Sequence, residues 1–286
     1  MSLGLYPGCS LQGTAREYTE SVMAVCDALG VKIEQVPDWN CCGATAAHNL
    51  NKDLSLALPA RILAAAEKAG MKDVVVPCAA CYSRLMVTQH ELNHDPIKKN
   101  KISEIIEADF KGTTRIMNVI ELVDKYFLDK IEGKIKKQFN YKVASYYGCL
   151  MVRPAKILKF DQVENPQTMD IAMKKIGATP VDWAFKTECC GAGLSVAKKE
   201  IVAKLSGNIV EDAVYRGAEF IVVGCPMCHS NLDMRRPDIE KFKNKKFPIP
   251  VIYLTQALGL ALGIDEKKLG LHRHFVPFKY PNAVGV

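Results

Sequence analysis

Short apolar runs alternate with longer amphipathic stretches along this chain. Residues 2–6 form the first apolar run, just ahead of Cys9. Residues 15–29 follow, with Val22, Val25, Cys26 and Leu29 at three-to-four spacing. That spacing predicts an amphipathic helix, stopped by Gly30. Residues 31–36 alternate and predict a strand leading toward Cys41 and Cys42. An alanine- and leucine-rich helix over 54–69, a β-branched strand over 73–76 and a helix over 117–128 complete the first half. Residues 93–115, with Pro96 and dense charge, read as an excursion. The same order then returns as strand 142–147, helix 166–176, strand 180–183, helix 196–215, strand 220–223 and a helix within 254–262. Strands alternating with helices predict an α/β fold with mostly parallel sheets.

The cysteines turn this rhythm into a repeat. Ten of the 11 fall into two sets of one order: a single Cys, then Cys-Cys-Gly, then Cys-x-x-Cys. The first set is Cys9, Cys41-Cys42-Gly43 and Cys78-x-x-Cys81; the second is Cys149, Cys189-Cys190-Gly191 and Cys225-x-x-Cys228. Flanking residues repeat too: LYPGC matches SYYGC, and DVVVPCAAC matches FIVVGCPMC. A period this long indicates two copies of one domain related by a pseudo-twofold axis. The lysine-rich stretch 129–141 marks the junction, so domains are expected over 1–132 and 133–268, with a tail over 269–286. Cys9, Cys78, Cys149 and Cys225 each follow a strand, and ligands gather beyond the carboxyl ends of strands in open α/β sheets. Each half should therefore present five thiols at one rim of its sheet.

Composition narrows the class. The chain has 286 residues, 49% hydrophobic and 24% charged, which excludes a disordered protein. The longest weakly polar run, 251–264, falls short of the roughly 20 residues a membrane helix needs, and residues 1–10 lack the features of a signal peptide. A cytoplasmic protein is expected. The net charge of +7 comes with lysines in three separate groups, near 98–101, 134–137 and 241–246. They read as solvated helix ends and linkers, with no nucleic-acid partner.

In a reducing compartment such cysteines serve as metal ligands or catalytic groups rather than disulfides. Zinc usually takes four ligands and leaves a fifth thiol and a vicinal pair over. A thioredoxin-like Cys78-x-x-Cys81 would explain two cysteines of five. Iron–sulfur ligation accounts for the whole set better. Cys26, on the apolar face of the first predicted helix, reads as a small buried hydrophobe. Arg16, Arg153 and Lys186 lie near ligand positions in sequence and are candidates to meet an anionic substrate. His48 and His229 are candidate proton donors, against a bland reading as structural or surface histidines. No flavin or nicotinamide fingerprint is present: Gly191-Ala192-Gly193 lacks the rest of the dinucleotide motif.

The doubled cysteine pattern resembles the CCG domain, and two such domains in one chain resemble the B subunit of heterodisulfide reductase. The resemblance covers roughly residues 2–265. With glycine kept after both vicinal pairs, it points to a bacterial or archaeal homologue rather than a strict methanogen enzyme. It implies one noncubane [4Fe–4S] cluster per domain, with a [3Fe–4S]-like and a [2Fe–2S]-like part. The first would be held by Cys9, Cys41, Cys42, Cys78 and Cys81, the second by Cys149, Cys189, Cys190, Cys225 and Cys228. It further implies an oxidoreductase acting on a substrate disulfide, with a ferredoxin-like subunit and a flavin-bearing subunit as partners. A sulfur-oxidising complex acting on carrier-bound sulfur is the alternative within the family. A non-enzymatic zinc or thiolate scaffold is the alternative outside it. Two such clusters with ten thiolates would bring about −6 of charge, so the basic excess of +7 is expected to compensate them. The tail, with His272, Arg273, His274, Phe275, Phe278 and Tyr280, either embraces a partner or packs along its own domain.

Overall fold

A computed structural model describes residues 3–280. The first half runs β1 (Leu3–Leu5), α1 (Gly8–Gln12), α2 (Arg16–Leu29), β2 (Ile33–Gln35), α3 (Ala47–Leu50), α4 (Lys52–Lys68), β3 (Asp73–Val75), α5 (Ala79–His94), α6 (Pro96–Ile105) and β4 (Arg115–Met117). It closes with α7 (Val119–Leu122), a π-helical turn Val123–Phe127 and α8 (Leu128–Ile131). The second half runs β5 (Lys142–Tyr146), α9 (Thr168–Lys175), β6 (Thr179–Pro180), α10 (Lys199–Tyr215), β7 (Phe220–Val223), α11 (Pro226–Leu232), α12 (Arg236–Lys243), β8 (Val251–Tyr253) and α13 (Leu254–Ala261).

Both sheets are four-stranded and fully parallel, in the orders β2-β1-β3-β4 and β6-β5-β7-β8. The strand order reverses between β1 and β3, and again between β5 and β7. These are the switch points where open α/β sheets leave a crevice. The central strands read as unbroken apolar runs because helices cover both faces. Phe220–Val223 is wholly buried, for example.

Several elements differ from expectation. The predicted helix over 117–128 begins later, because Met117 closes β4. Asn118 then caps α7, with Glu121 reaching back to its N–H in a capping box. The excursion over 93–115 is structured: Asp95 caps α6, and Pro96 takes the first-turn position that proline favours. The helix expected within 254–262 is α13, and an unexpected strand, β8, precedes it. Of the predicted first strand, residue 2 lies outside the described residues, as does 281–286 of the tail.

The halves share one hydrophobic core. Tyr18 of α2 stacks on Tyr253 at 4.0 Å and donates to the Gly224 carbonyl at 2.9 Å. Ser21 and Thr255 hydroxyls meet at 2.7 Å. The tail clasps both halves. Arg273 pairs with Glu20 at 2.8 Å, and the Phe275 and Val276 amides donate to the Asp233 carboxylate. Phe278 stacks on Phe220, and Tyr280 on Tyr141. Through Tyr280 the tail therefore packs along its own chain.

Lys186 and Asp170 form a fully buried ion pair at 2.6 Å, and Lys186 also donates to the Pro166 carbonyl. Removing one partner strands the other charge in the core. Lys186→Met should lower stability by about 3–5 kcal/mol, and the double variant Lys186→Met/Asp170→Leu should recover most of that. Thermal unfolding followed by circular dichroism reads both; equal losses in single and double variants would contradict the account.

Candidate functional site

All ten repeat cysteines lie beyond the carboxyl ends of the central strands. Cys9 follows β1 and Cys78 follows β3; Cys149 follows β5 and Cys225 follows β7. Each pair straddles a switch point, and the loops after β2 and β6 bring in the vicinal pairs.

Local geometry repeats in detail. Gly8 and Gly148, just before the single cysteines, sit at φ +60° and +71°. A Cβ at Gly8 would lie 3.4 Å from the Cys81 sulfur, and one at Gly148 2.8 Å from the Cys228 sulfur. At Gly148 a side chain would collide with the last cysteine of its set, and at both positions the left-handed backbone favours glycine. Gly43 and Gly191 also have positive φ, and their amides donate to Cys41 and Cys189 at 3.4 and 3.3 Å. Buried Tyr6 and Tyr146 donate to the carbonyls of Asn40 and Glu188 at 2.9 and 2.7 Å, pinning the residue ahead of each vicinal pair. The fragments LYPGC and SYYGC carried both the glycine and the tyrosine signal, but sequence reasoning assigned neither a role.

In each half the thiols divide into an outer two and an inner three. Cys9 contacts Cys41, and Cys149 contacts Cys189. Cys9, Cys41 and Cys189 are exposed, and Cys149 is half-buried. Cys42 lies 3.1 Å from Cys81, which contacts Cys78; Cys190 lies 3.6 Å from Cys228, which contacts Cys225. These six inner thiols are buried. The two inner groups meet, because Cys78 and Cys225 contact one another. Six sulfurs thus run unbroken from Cys42 to Cys190 through the junction. The packing is reciprocal: α1, which carries Cys9, lies on α11 of the other half, and the turn carrying Cys149 lies on α5. Among the described residues no three His, Cys, Asp or Glu side chains gather as one metal ion would require; the sulfurs meet as a succession of pairs.

Crowding polarises the thiols. Hydrogen bonding from Cys81 draws Cys42 down to about 7, and Cys149 draws Cys189 down to about 6. The donating partners Cys81, Cys149 and Cys228 are pushed up, with burial adding to the rise. Cys225, accepting from Cys228 and then Cys78, is held well below the usual thiol value. Cys26, outside the repeat, is buried in α2 and pushed up to about 12 by that burial.

The other candidates are more scattered. His229 is buried, with Nε2 on the Val251 carbonyl at 3.0 Å and its ring stacked on Tyr253, and burial lowers it to about 4. It is neutral at physiological pH. His48 is exposed on α3. Lys186 is taken up in its buried ion pair, and Arg153 in a two-pronged pair with Glu164 and a bond to the Thr187 carbonyl. Arg16 and His229 are nevertheless brought together, lining one cavity of about 310 Å³ with Glu17, Asp233, Arg273 and Phe275 at the junction of the halves.

The family described as CCG, cysteine-rich domain, matches residues 3–86 and 143–233. The chain is 31% identical to the 8-methylmenaquinol:fumarate reductase membrane anchor subunit of Wolinella succinogenes, covering 95% of both chains. It is 30% identical to the B subunit of the ferredoxin:CoB-CoM heterodisulfide reductase of Methanosarcina mazei, covering 96% of this chain and 93% of that one. An Archaeoglobus profundus protein described as like the heterodisulfide reductase B subunit is 26% identical over 93% of this chain and 92% of its own. Among solved structures, a hypothetical protein from Helicobacter pylori shares the fold, with a TM-score of 0.79 at 14% identity over 97% of this chain. This chain spans about half of that protein, 52%. No helix among the described residues is long and apolar enough to cross a membrane.

Thiolate, not thiol, is the nucleophile, so reactivity rises with pH through each value. In the reduced, iron-free protein Cys189 should be the first cysteine alkylated by iodoacetamide, its rate climbing through about pH 6 and levelling above it. Cys26 should stay unmodified until the chain unfolds. Peptide mapping after timed alkylation checks both; Cys26 reacting with Cys189 would contradict them.

Proposed function

The chain belongs to the family of the heterodisulfide reductase B subunit, with its paired CCG domains, and on that footing we propose how it works. It is a cysteine-rich redox subunit of an oxidoreductase complex. Our proposal is that it carries two noncubane [4Fe–4S] clusters and cleaves, or in reverse forms, a substrate disulfide between them. The domains would span 1–132 and 133–268, with 269–286 as the tail. A ferredoxin-like subunit and a flavin-bearing subunit would exchange electrons with it, in the cytoplasm.

The donor set fits such clusters. Cys9, Cys41, Cys42, Cys78 and Cys81 would hold the first, and Cys149, Cys189, Cys190, Cys225 and Cys228 the second. The split into two outer and three inner thiols in each half suits a core of two unequal parts. When bound, an iron–sulfur cluster supplies electrons singly. Disulfide reduction takes two electrons and two protons and yields two thiols, so two adjoining sites suit the stoichiometry. The chain's own residues do the rest. Tyr6 and Tyr146 fix the vicinal pairs, and Gly148 leaves room for the last cysteine of its set. The buried inner thiols keep water out, while Cys9, Cys41 and Cys189 lie open to an incoming molecule.

The observation that carries this reading is the Cys78–Cys225 contact, which sets two five-thiol sites against each other. A second reading is favoured by the Wolinella relative, whose name places it in a fumarate reductase. In it, the same two sites relay electrons to another subunit without handling a disulfide.

Anaerobically purified protein should be brown and hold about eight irons, four per cluster. Cys42→Ala should lose the first-site paramagnetic signal and about half the iron while the second signal persists. Colourless protein containing zinc, or full iron in Cys42→Ala, would overturn the assignment. Disulfide turnover by the complex with a reduced viologen dye separates the two readings: a relay gives none.

A further inference from the structure

The two vicinal pairs repeat in sequence, but the scaffold grips them differently. In the second half the Cys190 carbonyl is held from two sides. Ser206 Oγ, on α10, donates to it at 3.0 Å, and Asn231 Nδ2, on α11, donates to it at 3.0 Å. Ser206 and Asn231 are 0% and 2% exposed, so water does not compete for these bonds. Ser195 braces Asn231 in turn, with its Oγ 2.8 Å from Asn231 Oδ1.

The first half offers neither donor. α4 and α10 match over their 17 positions, and the Cys-x-x-Cys motifs keep the same offset, so Ser206 corresponds to Pro59 and Asn231 to Arg84. A proline side chain cannot donate, and Arg84 makes no hydrogen bond among the described residues. The Cys42 carbonyl accepts none among them either. Pro59 also lies inside α4, where it removes the N–H that would bond the Ser55 carbonyl. Donors to sulfur are present at both pairs: the Gly43 amide meets Cys41 as the Gly191 amide meets Cys189, and the Ala44 amide and Tyr6 face Cys42. Gly43 and Ala44 belong to the loop itself and move with it. Arg61 and Asn40 tether the approach to the first pair, through the Asp38 and Leu58 carbonyls, by bonds that are exposed or only partly buried. Exposure follows the same division: Cys9 and Cys41 are both exposed, whereas Cys149 is half-buried.

We propose that the loop carrying Cys41 and Cys42 is the one that opens, that Ser206 and Asn231 are positioning residues keeping its counterpart closed, and that an incoming sulfur compound engages at the first site before the second. The order of engagement rests on the two-cluster reading above; the difference in loop opening stands without it. One yielding wall and one fixed wall let a molecule enter without loosening the second site.

Ser206→Ala is the cleanest probe, because it deletes a bond to the Cys190 carbonyl and touches no sulfur. Full-length, reduced, iron-free protein is treated with N-ethylmaleimide for timed intervals, and Cys42 and Cys190 are followed by peptide mapping. Both are buried, at 2% and 3% exposed, so each must be uncovered before it reacts. Comparing each cysteine with itself across variants cancels its own acidity. Ser206→Ala should speed Cys190 roughly two- to tenfold, the worth of one hydrogen bond, and leave Cys42 unchanged. Ser206→Thr should keep the wild-type rate. Pro59→Ser should slow Cys42 beyond any slowing in Pro59→Ala, which repairs α4 without adding a donor. An unchanged Cys190 rate in folded Ser206→Ala would overturn the clamp; if that variant does not fold, equal Cys42 rates in Pro59→Ser and Pro59→Ala would do so. In iron-loaded wild-type protein, 2-mercaptoethanol added without oxygen should perturb the first-site paramagnetic signal, the one lost in Cys42→Ala, at a lower concentration than the second. Equal concentrations would overturn the order of engagement. Iron-free protein after anaerobic purification would overturn the cluster reading and leave the loop difference standing.

Discussion

The contact between Cys78 and Cys225 is the constraint on which the rest of the molecule turns. Sulfur atoms buried side by side cannot all ionise in an apolar setting unless something positive neutralises them. Keeping six of them in mutual contact also demands that the two halves stay fixed against one another. The shared core, the Tyr18–Tyr253 stack and the tail clasp supply that rigidity. A hinge between the halves would break the sulfur run first. The interface is therefore as much a part of the site as the thiols are.

Duplication explains how the site is built. Both halves use the same parallel strand order, so both place a single cysteine and a Cys-x-x-Cys on either side of a switch point. Packing them face to face makes each half the wall of the other half's pocket.

Much of this was legible in the chain. The doubled order of ten cysteines and the alternation of strands with helices gave the fold class and the paired domains. What escaped was short or set by tertiary contact. β4 buries only Ile116 and Met117 in three residues, too few for a period-two signal. α5 and α11 begin inside the Cys-x-x-Cys motifs, where thiol chemistry masks helical pattern. Sequence neighbourhood misled for Lys186 and Arg153, since being near a cysteine in the chain does not aim a side chain at it. The cross-junction sulfur contact was also invisible, because nothing in either half alone encodes how the two halves meet.

The burial of the inner six thiols has a bearing on biogenesis. With the sheets closed on one another, Cys78 and Cys225 are almost wholly buried. An inorganic core held by these thiols would be enclosed by both halves at once. On the cluster reading, loading the redox centre and closing the two halves on one another would be linked steps.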